Sequence, residues 1–95
     1  MSVRLVVTLK AVPGKGAELA KVYQARAATA RKESGCEQFD VFRGVDDTDT
    51  VILLEKWVDQ AALDVHAQQP ATKSAIPEGL RAGSEREDYV YNRTR

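Results

Sequence analysis

Apolar and polar residues alternate singly from Val3 to Ala11. Val3, Leu5, Val7, Leu9 and Ala11 share one face, and Arg4, Val6, Thr8 and Lys10 share the other. A period of two with β-branched residues predicts a strand, and Pro13-Gly14 with Gly16 ends it. From Ala17 to about Glu33 the period lengthens. Leu19, Val22, Tyr23, Arg26, Ala27 and Ala30 recur at three and four, which is the stripe of an amphipathic helix rich in alanine. Ser34-Gly35 supplies its stop. Alternation returns from Cys36 to Arg43, with mixed faces, and Gly44 to Asp49 forms a turn into a third strand at Thr50–Val58. There Ile52 and Leu54 point one way, and Val51, Leu53, Glu55 and Trp57 the other. A strand apolar on both faces is expected to be buried on both sides.

Asp59 is an expected N-cap for a second helix carrying Leu63, His66 and Ala67 inward. Pro70 ends or kinks that helix, and a short helical turn is expected from Ala71 to about Ile76. Gly79 and Gly83 bracket a loop, and Ser84 to Asn92 reads as a last strand before a polar tail. The order is strand, helix, strand, strand, helix, strand. This β-α-β-β-α-β order predicts an α+β, ferredoxin-like fold: one four-stranded antiparallel sheet with both helices on one face. The uncovered face keeps apolar residues, so a homodimer with its sheets packed face to face is expected.

Composition narrows the class. Ninety-five residues make a single domain, residues 1–95, and a chain this short gains from a second subunit. Lys plus Arg equals Asp plus Glu at 14 each, with signs interspersed, so no basic face is available for nucleic acid. The single Cys36 excludes an internal disulfide and a cysteine-rich metal cage. No run reaches the ~20 apolar residues of a membrane span, and no signal peptide is visible. The expected location is cytoplasmic.

Three chemically useful side chains crowd the stretch from Thr50 to Gln68: Glu55, Trp57 and the only histidine, His66. Together with the order of elements, the phrases GCEQFDVFR, VILLEKW and ALDVH resemble the antibiotic biosynthesis monooxygenase family over nearly the whole chain. The motifs carrying the resemblance are Gly35-Cys36, Glu55-Lys56-Trp57, Leu63-Asp64-Val65-His66 and the early Pro13-Gly14. The resemblance implies a dimeric α+β barrel with a pocket between sheet and helices in each subunit. Members include oxygenases that oxidise quinol-like or polyketide aromatics with O2 without metal or flavin, haem degraders, and enzymes processing a small phosphorylated signalling sugar. This chain departs from several of them. Ala71-Thr72 stand where quinol-oxidising relatives carry a second histidine. The only asparagine is Asn92, and Ile76 stands where haem degraders place an axial histidine.

The residues therefore carry two readings each. His66 is either a buried histidine held by one partner or a general base on a phenolic or enediol substrate, a task suited to an imidazole. Glu55 is a structural ion pair, with Arg26 or Arg43 as its partner, or a second base that orients His66 if burial raises its pKa. Trp57 is core or the wall of an aromatic ligand's pocket. Tyr23 is core or pocket wall. Arg26 either pairs with Glu55 or Asp40 or offers charge to an anionic ligand, since an unpaired buried guanidinium is costly. Cys36 reads as a small buried hydrophobe. The expected function is a cofactor-independent monooxygenase acting with O2 on a small phenolic, quinol-like or polyketide-type compound, with no metal and no cofactor. Catalysis falls to His66 and Glu55, and substrate binding to Trp57, Tyr23 and Arg26. The alternatives are an isomerase or other proton-transfer enzyme on a small carbonyl metabolite, or a ligand-binding dimer without catalysis.

Overall fold

A computed structural model of the chain describes residues 1–91. The elements run β1 (Ser2–Ala11), α1 (Gly16–Ala30), β2 (Cys36–Arg43), β3 (Thr50–Trp57), α2 (Gln60–Ala67), α3 (Pro70–Lys73) and β4 (Arg81–Tyr91). The four strands form one sheet in the order β2-β3-β1-β4, and every neighbouring pair is antiparallel. This is the ferredoxin-like α+β arrangement expected from the sequence. Asn92 and the polar tail to Arg95 lie outside the described residues.

Alternation decides which face meets the helices. Val3, Leu5 and Leu9 of β1 are buried with Val51, Leu53, Glu55 and Trp57 of β3. The register sets Leu5 opposite Glu55 and Val3 opposite Trp57, and Phe39 of β2 opposite Glu55 from the other side. Leu19, Tyr23, Ala27 and Ala30 of α1 and Leu63 of α2 close this layer. The opposite face behaves differently. Ile52, Leu54 and Val6 are only half-buried and Phe42 is exposed. The expectation of a β3 buried on both sides is thus met on one face within the chain, because both helices cover the same side.

Three boundaries differ from the sequence reading. Helix α1 stops at Ala30, and the chain tightens into turns in which the N–H groups of Lys32 and Glu33 reach back only three residues, to Thr29 and Ala30. Gly83 lies inside β4, opposite Lys10 on an edge strand, instead of bracketing a loop. The short turn after Pro70 spans Pro70–Lys73 and not Ala71 to Ile76, with proline at its start, where a missing N–H costs nothing.

Candidate functional site

The site begins with a capped helix. Asp59 sits in an extended conformation and its Oδ1 accepts the Ala62 N–H at 2.9 Å, which starts α2 at a fixed rotation. Leu63 and His66, three apart, then face the sheet. The turn preceding β2 is pinned to the same junction, where the N–H of Val58 donates to the Gly35 carbonyl at 2.8 Å. Gly35 has φ 84°, and a Cβ there would stand 2.6 Å from the Ala62 Cβ. Only glycine permits this approach, and the approach carries Glu33 against α2.

The consequence is a carboxylate–imidazole pair. His66 Nδ1 lies 3.0 and 3.1 Å from the two oxygens of Glu33, and the Thr72 hydroxyl is 3.5 Å from the same nitrogen. An ionised carboxylate only accepts, so in the neutral imidazole Nδ1 carries the hydrogen and Nε2 the lone pair. Nε2 lies 4.0 Å from Glu55 Oε1. Glu55 in turn accepts the Trp57 indole N–H at 3.1 Å. The imidazole is stacked at a tilt on Trp57, with 4.4 Å between centroids, and meets Phe39 edge-on at 5.8 Å. Burial pushes the Glu55 carboxyl above its ordinary range, while the Trp57 N–H and then His66 pull it partly back. Burial likewise raises the Cys36 thiol, with Glu55 and Glu33 adding to the effect.

This pair opens on a cavity of about 300 Å³ between sheet and helices. Leu5, Val7 and Leu53 of the sheet line it, together with the Glu33, Glu55 and His66 group. Tyr23 and Arg26 of α1 and Arg81 and Arg86 of β4 line the remainder.

Of the sequence candidates, His66, Glu55, Tyr23 and Arg26 all line this cavity. Trp57 does not: it is fully buried, behind the imidazole and bonded to Glu55, so it supports the site without walling it. The expected ion pairs of Glu55 with Arg26 or Arg43 are absent among the described residues. Arg26 instead donates to the carbonyls of Thr72 and Ser74, Arg43 donates to the carbonyl of Thr48, and Asp40 pairs with Arg31. Arg26 and Arg43 thus take backbone carbonyls as their acceptors in place of the Glu55 carboxylate. Glu33, Arg81 and Arg86 were not singled out from the sequence. A carboxylate directly before the Ser34-Gly35 stop was the available signal for Glu33. Among the described residues no group of three or more His, Cys, Asp or Glu is placed to hold a metal ion, and no helix is long and apolar enough to cross a membrane.

Fold and site together define a ferredoxin-like α+β protein with a small pocket and an oriented histidine between sheet and helices. The chain belongs to the antibiotic biosynthesis monooxygenase family, whose sequence profile it matches over residues 2–78. It is 31% identical over 71 residues, covering 75% of each chain, to YcnE of Bacillus subtilis, named as a candidate monooxygenase. Among solved structures it resembles PA3566 of Pseudomonas aeruginosa, at 26% identity and a TM-score of 0.87, covering 97% of this chain and 95% of that one. It also shares its fold with a candidate antibiotic biosynthesis monooxygenase from Deinococcus radiodurans, at 22% identity, TM-score 0.88, and coverage of 97% and 94%.

Proposed function

We propose that this protein is a cofactor-independent monooxygenase of a small phenolic or quinol-like compound. The observation that carries the reading is the Glu33–His66 pair, which holds Nδ1 and leaves Nε2 as the base on a cavity of about 300 Å³. His66 Nε2 takes the substrate's hydroxyl proton. The resulting anion is electron-rich and passes one electron to O2, and the radical pair joins as a carbon–peroxide bond. Loss of the proton on that carbon and cleavage of O–O leaves a carbonyl on the ring, and the second oxygen departs as water. All four electrons that reduce O2 come from the substrate, so a phenol plus O2 gives a quinone plus water. The protonated imidazole can supply a proton to the departing oxygen. A cavity near the low end of small-molecule pockets, ~300–1,000 Å³, suits one or two rings.

The test is O2 uptake with quinols and anthrones supplied aerobically, corrected for their spontaneous oxidation. Wild type is expected to accelerate uptake and His66→Ala to lose about 10²- to 10⁴-fold. Equal rates for the two proteins would end the assignment of His66.

A second reading draws on Glu55. A buried carboxyl raised above its ordinary range, beside a histidine base, is an acid–base pair able to move a proton between neighbouring carbons of a carbonyl compound. Turnover that continues under strict anaerobiosis selects this reading over the first.

The assembly proposed is a homodimer formed through the sheet face that no helix covers, where Val6, Ile52 and Leu54 are half-buried and Phe42 is exposed. Burial of such a strip in a partner is favourable at ~25 cal/mol per Å². Sedimentation in dilute solution is expected to give twice the chain mass, and a folded monomer would overturn it.

A further inference from the structure

The charges around the cavity are unevenly matched. Glu33 is bonded to His66, Glu55 to Trp57, and Arg86 to Asp88 through two N–H donors at 2.6 and 2.7 Å. Arg26 and Arg81 differ from these. Among the described residues neither has a carboxylate in ion-pair contact. Arg26 donates only to the backbone carbonyls of Thr72 and Ser74, and Arg81 only to the Tyr23 hydroxyl at 3.0 Å. Both meet at Tyr23, because the Arg26 guanidinium also lies 5.6 Å from the centroid of that ring.

We propose that Arg26 and Arg81, converging on Tyr23 in the cavity wall, form an anion subsite, and that the substrate of the reaction proposed above is a ring bearing a carboxylate or phosphate. The inference rests on that reading for the position of the reacting hydroxyl. A guanidinium has five N–H donors, so both arginines keep donors beyond those they use. The Tyr23 hydroxyl accepts from Arg81 and therefore has its own hydrogen to give. Half-buried Arg26 carries its charge with carbonyl dipoles alone, and a ligand oxyanion would complete it at low cost.

The cavity thus carries both signs of charge. Glu33 and Glu55 flank His66, and Arg26 and Arg81 converge on Tyr23. The two groups adjoin, because Arg26 donates to the Thr72 carbonyl at 3.4 Å and the Thr72 hydroxyl lies 3.5 Å from His66 Nδ1. A small ring held by its anionic group on the two guanidinium groups can therefore present a hydroxyl to His66, and the Glu33 carboxylate disfavours the reverse orientation.

The experiment is anaerobic ligand titration followed by NMR on the imidazole of His66, the only histidine. The probes are hydroquinone, homogentisate (a hydroquinone with a carboxymethyl arm) and hydroquinone monophosphate. Wild type is expected to bind at least one anionic probe ~10-fold or more tighter than hydroquinone, and the better of the two decides between carboxylate and phosphate. Arg26→Gln and Arg81→Gln should each erase most of that preference, weakening the anionic probes far more than hydroquinone, and Arg81→Lys should retain part of it. Arg43→Gln, outside the cavity, is the control. If a glutamine variant does not fold, wild type still decides: raising salt should weaken the anionic probe and not hydroquinone. Equal affinities, or a preference unmoved by both substitutions, overturn the subsite and leave the role of His66 standing. An imidazole signal moved by no probe overturns the subsite and the catalytic reading together.

Discussion

His66 Nδ1 and the Glu33 carboxylate lie 3.0 Å apart across 33 residues of sequence. Glu33 comes from the turn after α1 and His66 from the last turn of α2, and neither segment alone contains a reason for them to meet. This contact fixes which imidazole nitrogen is available for chemistry. Glu33→Gln is expected to lower kcat with KM close to wild type, because an amide can present either a donor or an acceptor and no longer selects one tautomer. The loss should be smaller than the about 10²- to 10⁴-fold expected for removing the base itself. Nitrogen NMR of the single histidine checks the cause directly. Wild type should show Nδ1–H alone and the variant a mixture, and an unchanged tautomer in the variant would refute the role of Glu33.

Glu55 makes the fold sensitive to pH. Burial raises its carboxyl above the ordinary 4.5, so the folded state favours the neutral form. The contribution to stability is fully present below about 4.5 and is lost as pH rises through the raised folded value. Glu55→Gln is neutral at every pH and can still accept the Trp57 N–H. Its unfolding free energy relative to wild type should therefore climb as pH rises through that window and then level off, by about 1.4 kcal/mol per unit of elevation. Urea melts across pH measure this, and a flat difference would show that burial does not perturb Glu55.

Gly35→Ala tests how Glu33 is delivered to α2. A side chain must be accommodated at φ 84° with the Ala62 Cβ at 2.6 Å. The conformational part alone costs about 1–3 kcal/mol, and the displaced turn should also weaken the tautomer selection described above. Alanine at Gly79, which has φ 80° but open space around it, should cost less, and equal losses at the two positions would contradict the packing account.

Asp59→Ala removes the carboxylate that accepts the Ala62 N–H and should cost about 1 kcal/mol. Asp59→Asn or Asp59→Ser should recover most of it. A thermal melt separates these, and a fully tolerated alanine would mean that α2 is held by Leu63 and His66 alone.

The order of elements, the face of β1 and β3 that is buried, the cap at Asp59 and the cavity-lining positions of His66, Glu55, Tyr23 and Arg26 were all legible in the sequence. They are set by periodicity and local turn chemistry, which act over a few residues. The sequence could not decide partners across the sheet layer. It left Glu55 to choose between an ion pair with Arg26 or Arg43 and a place beside His66, and the fold set it beside His66 and bonded it to Trp57. Of the two readings of Trp57, core or pocket wall, the fold has it buried as core behind His66. Glu33 became the partner of His66 because α1 ends three residues early and Gly35 lets the turn close on Ala62. Arg81 joined Tyr23 across 58 residues through the pairing of β4 with β1. Hydrophobic pattern alone determined which side of each element faces inward. Which polar groups then meet depended on register and turn geometry to within an ångström, and only the assembled tertiary structure fixes those.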